Sequence, residues 1–134
     1  MSCKEISLPL TIAPMKKSDL PEIMKIERES FLSPWTVGMF KREISSDHSH
    51  CLCARIHSDG KEIVAGYIVF WLIIDEAHLH SLAVKKEFRG KGIAFRLMQS
   101  MKTIAGKNDV LFQTLEVRAS NVEAIKLYRK CGFV

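Results

Sequence analysis

A chain of 134 residues with 47% hydrophobic and 26% charged residues has the composition of one globular domain. Its net charge of +5 comes from basic residues scattered along the chain, among them Lys16, Lys17, Lys85, Lys86, Arg89, Lys91, Arg129 and Lys130. That pattern argues against a dedicated nucleic-acid binder and suits a phosphate-bearing ligand or an acidic partner. The longest apolar-leaning run, 63–74, contains Gly66 and stops at Asp75-Glu76, short of the roughly 20 residues that span a bilayer, so no membrane partner is expected. The N-terminus carries Glu5 and Pro9 instead of a signal peptide's apolar core, and the expected compartment is the cytoplasm.

In chain order, 10–13 reads as a short strand ended by Pro14. Ser18 then offers a helix cap, and Leu20, Ile23, Met24, Glu27 and Phe31 place a mainly apolar stripe on a helix at three- and four-residue steps. Ser33-Pro34 is a turn signal, Thr36 a second cap, and Val37, Phe40 and Ile44 a second short amphipathic helix. Strands are expected over 51–57, 62–74 and 77–84, the first two joined as a hairpin at Asp59-Gly60. The period changes from Gly92 onward, where Ile93, Leu97, Met101, Ile104 and Ala105 predict a helix with Gly106 near its end. A strand over 110–118 follows, then a capping box at Ser120 and Glu123 opening a helix that stops at Gly132. These elements make a mixed α+β layer fold with helices packed on one sheet, as a single domain over 1–134.

The four cysteines (Cys3, Cys51, Cys53, Cys131) read as free thiols in a cytosolic chain. His48, His50, Cys51 and Cys53 are donor types that zinc accepts, but they are spaced more tightly than the usual ligand separations. Cys51 to Ile56 alternates like an ordinary strand, so Cys51 and Cys53 are expected to pack and no metal is expected.

The informative junction is Leu82-Ala83-Val84 followed, after 85–88, by Arg89-Gly90-Lys91-Gly92-Ile93-Ala94. A strand feeding a glycine-rich turn that opens a helix leaves backbone N–H groups unpaired at the helix start. The helix dipole, the close approach that glycine permits, and the charges of Arg89 and Lys91 all favour an anion there, pyrophosphate being the natural class. A P-loop would need Lys and Ser or Thr after its last glycine, and Ile93-Ala94 stand there. A dinucleotide fingerprint would need a third glycine at Phe95 and an early βαβ unit, and has neither.

Arg89 to Ala94 also resembles the Arg/Gln-x-x-Gly-x-Gly/Ala signature of the GNAT family of N-acetyltransferases, and it sits between strand and helix as that family requires. The run 115–133, the segment from Ile26-Glu27 to Trp35-Thr36, and Asp75-Glu76-Ala77 are similar to the branch of the family that acetylates the N-terminal alanine of a small-subunit ribosomal protein. The resemblance covers roughly 10–133. It implies a mixed, mostly antiparallel central sheet flanked by helices, acetyl-CoA as co-substrate, and direct attack by an amine in a ternary complex.

By that resemblance the backbone of Leu82, Ala83 and Val84 binds the pantetheine arm as an added strand would, Arg89 to Ala94 hold the pyrophosphate, and Asn121 contacts the coenzyme. Glu116 is the implied general base and Tyr128 the acid that protonates the departing thiolate. The chemistry needs such groups, because an α-ammonium with a pKa of about 8 must lose a proton before it attacks. Glu116 lies between Leu115 and Val117, and desolvation there would raise its pKa toward a useful range. A surface glutamate facing Arg118, and a core tyrosine at Tyr128, are the plain structural alternatives. Asn121 and Tyr128 are seven residues apart, two turns along one helix face. Acceptor selection falls to the loop 30–35 with Trp35, and to Asp75 and Glu76, whose charge suits a protonated amine. His78 and His80 share a strand face and are left as structural.

Three functions remain open on these residues: acetylation of a ribosomal protein's N-terminus, acetylation of a small-molecule amine or lysine side chain, and coenzyme binding without catalysis. In the family another strand follows Gly132-Phe133, so the chain is expected to be truncated there, with self-association through the unpaired sheet edge as one consequence.

Overall fold

A computed structural model describes residues 9–73, 76–107 and 112–115. The strands are β1 (Leu10–Pro14), β2 (Ser49–Ser58), β3 (Lys61–Ile73), β4 (Glu76–Val84) and β5 (Phe112–Leu115); the helices are α1 (Leu20–Ser30), α2 (Val37–Ser45) and α3 (Ile93–Lys107). The sheet runs in the order β1-β2-β3-β4-β5. Its first four strands are antiparallel neighbours, and β5 joins β4 in parallel, Leu115 opposite Leu79. The expected mixed, mostly antiparallel sheet is the observed one.

Helices cover both faces. Ile93, Leu97, Met98 and Met101 of α3 pack on Leu52, Ile68, Phe70, Leu79 and Leu82. Leu20, Ile23 and Ile26 of α1, with Phe40 of α2, pack on the opposite face against Cys53, Val64, Tyr67, Val69 and Ala83. Adjacent residues Leu82 and Ala83 thus enter opposite cores, as a two-residue period demands. Cys51 and Cys53 are packed strand residues as expected, and burial pushes the Cys51 thiol up to about 11 and Cys53 higher still.

Local chemistry explains the boundaries. Thr36 Oγ1 accepts the Met39 N–H at 3.2 Å, the expected cap of α2. Ser18 does not cap α1. The chain makes a 3-10 turn at Lys17–Asp19, where the Asp19 carboxyl accepts the Lys16 N–H at 2.8 Å, and α1 starts only at Leu20 with Pro21 in its first turn. Asp59 (φ 52°) and Gly60 (φ 73°) both take the left-handed conformation that a two-residue hairpin needs between β2 and β3. Gly66 answers a different need, because a Cβ there would lie 2.8 Å from the Ala83 carbonyl oxygen on β4.

Candidate active site

Strand β4 ends beside the turn that enters α3. The Lys85 N–H donates to Ala65 O at 2.7 Å, so the chain leaves the sheet still tied to β3. A 3-10 turn follows over Lys86–Phe88, then Gly90 (φ 78°) and Gly92 (φ 83°) flank Lys91, whose φ is negative. The turn, with no Cβ at either positive-φ position, lets an anion approach its backbone closely. It opens onto the first turn of a 15-residue helix, whose leading N–H groups lack intrahelical acceptors and whose dipole is positive at this end. Ile93, 1% exposed, anchors that turn in the core, while Lys91 stays exposed beside it. Among the described residues this is the place fitted to a pyrophosphate.

Arg89 does more than add charge. Its Nε donates to Val84 O at 3.0 Å and its Nη2 to Ser30 Oγ at 3.1 Å, so the guanidinium ties the phosphate turn to the end of β4 and the end of α1. Glu29 makes a parallel tie, its Oε1 accepting the Lys86 N–H at 3.1 Å. The sequence placed Ser30 only in the loop 30–35 and did not single out Glu29. Their signal was position alone, the last residues of the helix that leads to the acceptor loop.

Strand β4 is irregular where chemistry is expected. Val69 pairs with Ser81 but Phe70 with Leu79, so His80 is an extra residue, a bulge that re-aims the strand just beyond the β4–β5 ladder. Leu82, Ala83 and Val84, all buried, continue toward the phosphate turn. Glu76, half-buried, receives His78 Nε2 at 2.9 Å, and the His80 ring lies 4.2 Å from that of Trp71, centroid to centroid. The Trp71 Nε1–H and Ser49 hydroxyl both donate to Glu43 Oε1, at 2.6 and 2.8 Å. Both histidines are thus engaged in side-chain contacts of the fold.

Trp35 sits half-buried on the stretch between α1 and α2, its ring 5.1 Å from Phe40, which in turn meets Tyr67 edge-on at 5.6 Å. Its backbone N–H donates at 2.8 Å to Glu27 Oε2, and Tyr67 Oη donates to Glu27 Oε1. Leu32, 92% exposed, projects from the same stretch. Asp75, Glu116, Asn121 and Tyr128 lie outside the described residues. Among the described residues no three His, Cys, Asp or Glu side chains gather as a metal site, and no helix is long and apolar enough to cross a membrane.

Comparison with known proteins agrees with this geometry. Residues 20–133 match the model of the Acetyltransferase (GNAT) family. A Bacillus subtilis (strain 168) protein, named provisionally as a ribosomal protein bS18-alanine N-acetyltransferase, is 35% identical over 119 residues, covering 88% of this chain and 76% of that one. The Escherichia coli (strain K12) ribosomal protein bS18-alanine N-acetyltransferase is 31% identical over 123 residues, covering 92% and 80%. The crystal structure of the Escherichia coli ribosomal-protein-S18-alanine N-acetyltransferase superposes with a TM-score of 0.77 at 28% identity, covering 92% of this chain and 77% of that one. The chain belongs to the GNAT acetyltransferase family and is an acetyl-CoA-dependent N-acetyltransferase.

Proposed function

We propose that this protein acetylates the α-amine of an N-terminal alanine, with a small-subunit ribosomal protein as acceptor, in the cytoplasm. The observation that carries the coenzyme half is the pair of left-handed glycines, Gly90 and Gly92, placed between β4 and the N-terminus of α3. Similarity to the bS18-alanine enzymes supports the acceptor.

In this reading the N–H groups from Gly90 to Ala94 bind the pyrophosphate, with Lys91 adding charge and Arg89 holding the turn in shape. The backbone of Leu82 to Val84 pairs with the pantetheine arm, and Asn121 contacts the coenzyme. Trp35, Asp75 and Glu76 receive the acceptor. Glu116 accepts a proton from the amine, whose nitrogen forms the new C–N bond at the thioester carbonyl. The C–S bond breaks as the tetrahedral centre collapses, and Tyr128 donates its proton to the leaving thiolate.

Mass spectrometry of the protein with acetyl-CoA and a panel of amines tests the assignment. The panel holds a peptide starting with alanine, the same peptide with a blocked N-terminus and an internal lysine, and spermidine. Acetylation confined to the free alanine is the expected result. Acetylation of spermidine or lysine instead would replace the acceptor and leave the family chemistry standing.

A further inference from the structure

Glu27 is fully buried, at 0% exposure, on a helix face otherwise made of Leu20, Ile23 and Ile26. A carboxyl group there is costly unless its oxygens find donors, and each oxygen has one. Oε2 takes the backbone N–H of Trp35, eight residues on, and Oε1 takes the hydroxyl of Tyr67, on the central strand β3. The Phe40 ring lies between the Trp35 and Tyr67 rings and closes the circle on its other side. A glutamine or an apolar residue would fill this space at lower desolvation cost. The carboxyl group does what an apolar residue could not, fixing a backbone amide at the end of the exposed stretch that carries Leu32.

We infer that Glu27 is a positioning residue for the acceptor, holding Trp35 and the stretch 31–36 in the conformation that receives the amine-bearing substrate. The inference rests on the reading above that this stretch selects the acceptor. Glu27 acts through Trp35 and touches no reacting atom. A residue of this kind alters acceptor binding and leaves the coenzyme site alone, because the tie from α1 to the phosphate turn runs through Glu29 and Ser30.

The test compares Glu27→Ala, Glu27→Gln and Tyr67→Phe with Glu22→Ala. Glu22 supplies a control from the same helix, since its Oε2 accepts the Val64 N–H at 3.2 Å, away from the stretch. Steady-state kinetics use the alanine peptide, or spermidine if wild type acetylates only that. In the latter case the N-terminal alanine reading fails and the present one is still measured. Glu27→Ala is expected to raise the acceptor KM about tenfold with the acetyl-CoA Kd within about twofold, since small misplacements of positioning groups are costly. Glu27→Gln keeps an oxygen for the Trp35 N–H and is expected to restore most of the acceptor KM, and exchange of that N–H with solvent should accelerate in Glu27→Ala. Tyr67→Phe, which removes one donor and only the hydroxyl oxygen from the core, gives a smaller rise and serves if Glu27→Ala fails to fold. The inference is overturned if acceptor KM is unchanged in a folded Glu27→Ala or, failing that, Tyr67→Phe protein. It is equally overturned if acetyl-CoA Kd rises by the same factor, or if Glu22→Ala raises acceptor KM as much.

Discussion

Arg89 Nη2 lies 3.1 Å from Ser30 Oγ, so the residue that opens the glycine turn before α3 is tied to the last residue of α1, which leads into the stretch 31–36. With Nε on Val84 O as well, the planar guanidinium spans two acceptors that a single ammonium could not hold in the same geometry. Arg89→Lys therefore keeps the charge and loses the shape. Titration calorimetry with acetyl-CoA should find Arg89→Lys weakened about tenfold, close to Arg89→Ala, whereas a purely electrostatic role would leave it near wild type. Ser30→Ala, which leaves the Val84 bond intact, is expected to stay within about fivefold, the loss of one exposed hydrogen bond costing about 1 kcal/mol.

Two glycines give opposite signatures. At Gly90 nothing stands within 4 Å of an added Cβ, but φ is 78°, so Gly90→Ala strains the backbone of the turn by about 1–2 kcal/mol. At Gly66 a Cβ meets the Ala83 carbonyl oxygen at 2.8 Å and must push β3 from β4, at a cost of about 1–3 kcal/mol. Thermal melting with and without acetyl-CoA separates them. Gly66→Ala should lower Tm in both conditions, and Gly90→Ala should mainly lose the upward shift that acetyl-CoA gives wild type.

Features that depend on near neighbours were legible in the sequence. Asp59-Gly60 marked its hairpin, Thr36 its helix cap, and the spacing of Gly90 and Gly92 after a strand marked the left-handed turn into α3, because each is fixed by backbone conformation within a few residues. Glu27 was visible only as a carboxyl among apolar positions of a helix. Its partners stand 8 and 40 residues away, and no local pattern announces that a Trp35 amide and a Tyr67 hydroxyl converge on it. The bulge at His80 was hidden for the same reason, since pairing register is a property of two strands. Ser18 misled because Asp19, next to it, serves the Lys16 N–H and forms an ion pair with Arg55 on β2.

That ion pair is short, 2.6 Å, and its side chains are only 8% and 12% exposed. Burial alone would lower the pKa of Arg55, but its hydrogen bond to Asp19 and the Asp19 charge outweigh that and raise it. The guanidinium thus keeps its charge at every pH at which the protein is handled, and removing Asp19 leaves it only the exposed Glu62 at 3.4 Å and the Pro14 carbonyl at 3.3 Å. Asp19→Ala should cost about 3 kcal/mol in denaturant unfolding, while Arg55→Met combined with Asp19→Ala should recover part of the loss, as apolar replacements of buried pairs do.

His50 stacks on Phe70, centroids 5.1 Å apart and planes 10° from parallel, and desolvation lowers its pKa. The folded state therefore takes up this proton at a lower pH than the unfolded chain, whose histidine titrates near 6.5. The neutral ring's contribution is fully present above about pH 6.5 and is lost as pH falls from there toward the folded pKa. Tm measured from pH 8 to pH 5 should decline below about 6.5, and His50→Gln should flatten that part of the profile. An unchanged slope in a folded His50→Gln protein would assign the decline to other groups.

The described part of β5 ends at Leu115, registered beside Leu79 one residue before the bulge at His80, and the next residue in sequence is Glu116. If Glu116 takes the proton from the attacking amine, Glu116→Gln removes the base and keeps the side-chain shape. At pH 7 most of an α-amine with a pKa of about 8 is protonated, so assistance matters most there. The variant should lose about 10²–10⁴-fold in kcat/KM at pH 7 with acetyl-CoA affinity unchanged. The deficit should narrow toward pH 9, where the amine is already neutral. A variant that retains wild-type kcat and kcat/KM at pH 7 would remove Glu116 from the mechanism, because a lost proton acceptor must slow the chemical step.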